Sequence, residues 1–322
     1  VAPILVYSAF ALFFGVSAAV QLRRYPVSGP ALVGIYACLL LLIALWLLPA
    51  FPDLRRRARA RFAGAGGACA AWALLLMPYC LYALGTGDFS FLALGRLAAM
   101  ASVPILIFAV FPVRDTQKLA WQDAAALIWL ATPVLARWLK GLWNVPVNLD
   151  FMARLFVVVV GAWTYVIFRR IEDTGYEARF SIGIARAAFL NLALFSVIGL
   201  PLGFAMNFIA WNPHWQGVWH FFFDCVTIFV FIAIPEELLF RGLLQNLFEG
   251  SWGSRHGAQA AAAMLFGLMH ILHGFPNWRY VLIASIAGWF YGSAWRSTRS
   301  LVASGITHAL VDSIWRTWFE AQ

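Results

Sequence analysis

The hydrophobic positions of this chain fall in long continuous runs, and neither a period of two nor a short amphipathic stripe describes them. A helix that crosses a bilayer needs about 20 mostly apolar residues. Runs of that kind are expected at about 2–22, 31–51, 65–85, 93–112, 121–139, 152–169, 187–210, 217–247, 257–274, 278–296 and 300–319. The alternating ten-residue segments of a membrane β-barrel are missing. The pattern therefore predicts an all-α polytopic membrane protein of about 10–11 transmembrane helices. The eighth run is over-long and predicts either one long tilted helix or an interfacial stretch followed by a span.

The polar segments between runs set the organisation. The longest are 52–64, with Arg55, Arg56, Arg57, Arg59 and Arg61, and 170–186, with Arg170, Glu172, Asp173, Glu177, Arg179 and Arg186. The second predicts a boundary between accessory helices at 1–180 and a functional domain at 181–322. The run from Val1 to Val20 lacks the basic start of a signal peptide and reads as a first span. No Met opens the chain, so a natural start further upstream is expected.

Composition agrees. Of 322 residues, 63% are hydrophobic and 11% charged, against about 25% charged in soluble domains. The mean hydropathy is +0.79. A soluble enzyme, a disordered chain and a nucleic-acid-binding module are excluded. The net charge of +9 fits the excess of Lys and Arg in cytoplasmic loops better than a nucleic-acid partner. Counted over eleven spans, the loop charges favour a cytoplasmic N-terminus. Cys38, Cys69, Cys80 and Cys225 all lie in apolar runs without a C-x-x-C, and are expected to be buried hydrophobes.

With so few charges, those inside apolar runs are informative. They are Asp224, Glu236, Glu237, Arg241, His270, His273, His308 and Asp312. Each charge at mid-membrane costs roughly 2.5–3.5 kcal/mol on insertion scales, so such groups normally face a bundle interior and mark function. In Ile234-Pro235-Glu236-Glu237-Leu238-Leu239-Phe240-Arg241, Glu237 and Arg241 are four apart, in the favourable order for an ion pair on one helix face. Glu236 points elsewhere and is less readily neutralised, which suits a general base or acid. Pro235 predicts a local opening of the helix backbone. A structural polar knot between helices is the alternative for this segment.

Two further elements follow. Phe266 and His270 share a helix face, behind the small residues Ala260 to Ala263, which allow close helix packing. His308 and Asp312 share another, able to hold a metal, orient a water, or bond only to each other. His273, near a helix end, is expected at the interface. A Glu, a His and a His/Asp pair on three helices can converge in a bundle core and activate a water. The same four side chains, Glu236, His270, His308 and Asp312, form an acceptable first shell for one divalent metal, zinc first.

These residues spell E-E-x-x-x-R, then F-x-x-x-H, then H-x-x-x-D, each on a hydrophobic helix. In this the sequence resembles the CPBP family of intramembrane proteases, also called the Abi or CAAX prenyl protease 2 family, to which the Ras-converting endoprotease belongs. The matching stretch runs from about Glu236 to Asp312, within a domain expected at about 185–320. The resemblance implies cleavage of a peptide bond of a membrane-associated or lipid-modified substrate, in a multi-pass protein of the bacterial inner membrane. It implies that Glu236 and His270 activate the water. His308 and Asp312 bind the scissile carbonyl or complete a metal site, and Glu237 and Arg241 hold the first motif in shape. Asp312 departs from the Asn that other members carry: an ionised Asp cannot donate to an oxyanion. That leans towards a metal or a His-orienting role.

Competing protease motifs are missing. H-E-x-x-H and G-x-S-G do not occur. Gly85-Thr86-Gly87-Asp88 spells the G-x-G-D of presenilin-like proteases, but no Tyr-Asp partner exists and Asp88 reads as a turn. The alternative to an endopeptidase is a non-catalytic scaffold or transporter, of the bacteriocin-immunity kind, that uses the cluster structurally. A transporter would show broken helices in related halves, and none are seen.

Overall fold

The computed structural model describes residues 2–143, 147, 149–271 and 277–322. His273 lies outside the described residues. The helices are α1 (Ala2–Leu22), α2 (Gly29–Leu47), α3 (Pro52–Arg61), α4 (Gly64–Thr86), α5 (Phe91–Val110), α6 (Trp121–Leu135), α7 (Phe151–Phe168), α8 (Ile182–Ala205), α9 (Val218–Trp252), α10 (Arg255–Leu268), α11 (Trp278–Thr298) and α12 (Leu301–Trp318). The all-α polytopic class is thus observed. Seven of them, α1, α2, α4, α5, α7, α8 and α9, are long and apolar enough to cross a bilayer. The other four expected runs fall short for two reasons. Helices α6 and α10 have 15 and 14 residues, below the about 20 a span needs. Helices α11 and α12 are longer but diluted by Ser, Thr, Gly and charged residues.

Side-chain caps define several starts. Ser28, Ser90, Ser181, Ser254, Asn277 and Ser300 each accept a backbone N–H in the first turn of the helix that follows, worth about 1 kcal/mol apiece. Helix α4 ends at Gly87, whose φ of 74° suits glycine. Asp88 follows in the connecting turn, as expected.

The chain divides into two compact units, residues 1–116 with 120–170, and residues 117–119 with 171–322. In the first, α2 crosses α4 where Gly34 meets Gly85. A Cβ on Gly34 would sit 2.7 Å from the Gly85 Cα, so only glycine permits this approach. Arg169, just past α7, makes a buried bidentate pair with Asp123 on α6, at 2.7 and 3.2 Å. Cys38 is buried, but Cys69 is exposed and Cys80 and Cys225 are partly so. That corrects the expectation for Cys69, whose helix face carries only small residues at Gly66 and Ala70 and is left uncovered.

The second unit holds α8 to α12. Helix α9 is one continuous helix of 35 residues, roughly 50 Å at 1.5 Å per residue, which fits the expected single long helix. A two-stranded antiparallel ribbon, β1 (Ile209–Trp211) and β2 (Phe319–Ala321), joins the end of α8 to the end of α12. Ala262 and Ala263 are buried, and Gly288 of α11 packs against Ala263. A Cβ there would lie 3.3 Å from both the Ala263 Cα and an Arg241 nitrogen. The small residues of α10 thus allow the close crossing read from the sequence. Side chains such as Ile182, Phe91, Leu84 and Trp219 are more than four-fifths exposed, an arrangement suited to lipid.

Candidate active site

Pro235 has no N–H to give, and its ring crowds the carbonyl one turn earlier. Helix α9 answers by widening into π turns on both sides of it, at Phe229–Ala233 and Leu238–Gln245. Between them lies the short α-helical turn Ile234–Glu237. Such π segments inside α-helices occur frequently at functional sites. The opening expected at Pro235 is present; Glu236 and Glu237 face different ways because adjacent helical residues are turned by about 100°.

Glu237 points inward and is fully buried, as is Arg241. Arg241 donates from Nε to Glu237 Oε2 at 3.0 Å, the i,i+4 pair read from the sequence. The guanidinium lies over the Phe266 ring at 5.4 Å and the Phe240 ring at 6.0 Å, a cation–π arrangement. The other carboxylate oxygen, Glu237 Oε1, accepts from His308 Nδ1 at 3.0 Å. Glu237 therefore links α9 to α12 and fixes the tautomer of the imidazole, with a proton on Nδ1.

His308 is 3% exposed. Its ring is stacked on Tyr291 of α11 at 4.6 Å and 13°, and meets Phe266 edge-on at 5.5 Å. With Nδ1 committed, Nε2 is the atom presented outward. Two carboxylates face it: Asp312 Oδ2 at 3.7 Å and Glu236 Oε2 at 3.9 Å. Both distances exceed a direct hydrogen bond. The side chains of Glu236 and Asp312 are about one-third exposed. The cluster has a sealed half (Glu237, Arg241, His308) and an open half (Glu236, Asp312).

His270 follows α10 and shares its ring contacts. Its Nδ1 bonds the Phe266 carbonyl at 2.8 Å; since a carbonyl only accepts, Nδ1 carries the proton. The ring lies 4.9 Å from Phe266 and 4.8 Å from Tyr280. Phe266 thus touches both imidazoles and the guanidinium. The structure brings Glu236, Glu237, Arg241, His308 and Asp312 into direct proximity, and joins His270 to them through the Phe266 ring. Asp224 stays apart, pairing with His220 at 3.5 Å about three turns earlier on α9.

Tyr280 and Tyr291 are the site neighbours that the sequence reading missed. Tyr291 is 1% exposed and belongs to the inward face of α11, with Ala284, Ala287 and Gly288. A lone tyrosine on a face of small residues is the signal that could have found it. Among the described residues, no three His, Cys, Asp or Glu side chains are placed to hold a metal ion. Glu237 holds Nδ1 of His308, which leaves Nε2, facing Glu236 and Asp312, as the atom a metal would use.

Comparison with known proteins agrees with the motifs. Residues 217–314 match the family model of the type II CAAX prenyl endopeptidase, Rce1-like. No curated protein and no solved structure matches the chain. The match starts at the head of α9 and ends in α12, enclosing all three motifs and leaving α8 outside. The part of the chain that is similar to the CAAX prenyl endopeptidase family is thus residues 217–314, which carry E-E-x-x-x-R, F-x-x-x-H and H-x-x-x-D on three packed helices.

Proposed function

We propose that this protein is an intramembrane endopeptidase that hydrolyses a peptide bond of a membrane-associated or lipid-modified substrate with a water activated by side chains. The observation that carries this reading is the Glu237 bridge. It holds His308 with Nε2 aimed between Glu236 and Asp312, which preorganises a polar pocket at the open edge of a sealed knot.

Glu236 is the base of the proposal. It is not paired with Arg241, and its carboxylate stands beside the position a water would take. Glu236 takes one proton of the water as its oxygen attacks the carbonyl carbon, and His270, protonated on Nδ1 by its bond to the Phe266 carbonyl, helps to orient that water. The other proton stays on the oxygen as the hydroxyl of the adduct. With Nδ1 held by Glu237, a second proton on Nε2 makes His308 an imidazolium flanked by the Asp312 and Glu236 carboxylates, and the Nε2 proton is donated to the carbonyl oxygen as charge develops. Asp312 then needs no donor of its own, which accounts for an acid where other members carry an amide. Collapse of the tetrahedral adduct breaks the C–N bond, and the proton held by Glu236 passes to the leaving amine.

The test is hydrolysis by purified protein in proteoliposomes, on membrane-anchored peptides with and without an isoprenoid, in ¹⁸O-labelled water. The reading expects cleavage with label in the new carboxylate. Intact peptides across the panel, from protein that is folded, would contradict it.

A further inference from the structure

The sealed half of the cluster continues, beyond Arg241, into polar atoms that the protease reading does not use. Arg241 gives its Nε to Glu237. Its Nη1 and Nη2 have no hydrogen-bond partner among the described residues, although the side chain is fully buried. The rings of Phe240 and Phe266 beside it favour the charge, but they carry no oxygen to accept those N–H groups. Four residues further along α9 lies Gln245, equally buried, and Gln259 of α10 is buried with it. Each glutamine gives an amide N–H to a carbonyl of α11. Gln245 Nε2 donates to Gly292 at 3.3 Å and Gln259 Nε2 to Trp289 at 2.8 Å. The two amide oxygens, Gln245 Oε1 and Gln259 Oε1, receive no hydrogen bond among the described residues.

Two glycines of α11 locate these atoms. A Cβ on Gly292 would stand 2.6 Å from Gln245 Oε1 and 3.0 Å from Gln259 Cγ, and one on Gly288 would stand 3.3 Å from Arg241 Nη2. The two glycines are four residues apart, about 6 Å along the helix. Guanidinium donors and amide acceptors therefore face one glycine seam, at neighbouring turns. The spacing of those turns is close to two consecutive hydrogen bonds of about 2.9 Å each, which is the span of one bridging molecule. Native interiors rarely leave buried polar groups unmatched, and here donors and acceptors stand unmatched side by side.

The chemistry of the bridging molecule follows from the two sets of atoms. It must accept from the guanidinium and donate to the amide oxygens. An anion meets only the donors, and a cation meets only the acceptors. The charge of Arg241 is already matched by Glu237, which favours a neutral ligand. Water does both, and buried waters typically make about three hydrogen bonds to groups otherwise unpaired. We infer that α9, α10 and α11 enclose a buried water-binding site, in which Arg241 Nη donates and the Oε1 atoms of Gln245 and Gln259 accept. The bound water holds the guanidinium from the side opposite Glu237. The site follows from helix packing and stands or falls separately from the protease reading.

The test is a crystal structure of the full chain grown in a lipid mesophase, at a resolution that shows ordered solvent, together with a thermal double-mutant cycle in detergent. The structure is expected to hold a solvent atom about 2.7–3.2 Å from an Arg241 Nη and from Gln245 Oε1, with Gln259 Oε1 as its third contact. The inference is overturned by a site without solvent, by a direct bond from the guanidinium to either glutamine, or by an ion in place of water. In the cycle, Gln245→Met is made in wild type and in the Arg241→Met, Glu237→Gln background. The bond from Gln245 to the Gly292 carbonyl is lost in both, so its contribution cancels. A bridging water predicts that the methionine lowers Tm by about half as much, or less, once the guanidinium is gone. Equal losses in the two backgrounds overturn the inference.

Discussion

Glu237 and His308 are 71 positions apart and joined by a 3.0 Å hydrogen bond from the imidazole Nδ1 to a buried carboxylate oxygen. The other oxygen of that carboxylate is held by Arg241. One side chain thus fixes the orientation of His308 and shields a guanidinium from bare burial. The neighbouring Glu236 does neither and stands half-open beside His308 Nε2. Two adjacent glutamates therefore have two jobs, and substitutions should separate them.

Removing one partner of the sealed pair leaves a buried charge unmatched. Arg241→Ala and Glu237→Ala should each lower stability by about 3–5 kcal/mol. Arg241→Met combined with Glu237→Gln should cost less than either truncation, because no lone charge remains. Thermal unfolding of the purified variants in detergent checks this, and additive losses in the double variant would contradict the pairing.

Tyr291 holds the face of the His308 ring. Tyr291→Leu keeps volume but loses the stacked contact, and should reduce kcat about tenfold with KM unchanged, since a small misplacement of a catalytic group is felt in the chemical step. Tyr291→Phe should restore the rate. Steady-state kinetics on one peptide decides; a failure of the phenylalanine variant would move the role from the ring to the hydroxyl.

Asp312 supports the proton on His308 Nε2 in the proposed chemistry. Asp312→Asn should keep the fold and lower kcat by about 10- to 100-fold. An amide that raised or preserved the rate would show that the donor, not the charge, is what this position supplies.

Side-chain chemistry alone predicts that chelation with dialysis leaves cleavage intact. Metal analysis of the purified protein is the companion measurement. A stoichiometric divalent ion, lost together with activity and restored with it, would replace the side-chain mechanism with a metal-assisted one.

Much of the site was legible because its logic is local. The i,i+4 spacings of Glu237 with Arg241 and of Phe266 with His270 placed their partners on common helix faces, and both contacts are found. Proline at 235 announced the broken backbone register. The spacing of His308 and Asp312 put them on one face and left their partner open, and the shortest bond of His308 goes to Glu237. That choice depends on how α12 packs on α9, which no local pattern encodes. The same holds for Tyr291, set against His308 by helix packing. The ribbon of Ile209–Trp211 with Phe319–Ala321 pairs segments more than 100 residues apart, and each strand is too short to show a period. Four of the eleven apolar runs became helices too short or too polar to meet the length and hydropathy of a span, because a run of apolar residues does not fix where a helix stops.

The division of labour between the two glutamates is tested most directly by cleavage kinetics of Glu236→Gln, with its thermal unfolding measured on the same preparation. The account predicts a rate at least ~100-fold below wild type with an unchanged Tm, because Glu236 acts on water and carries no buried pair. Cleavage at the wild-type rate in folded Glu236→Gln protein would contradict it.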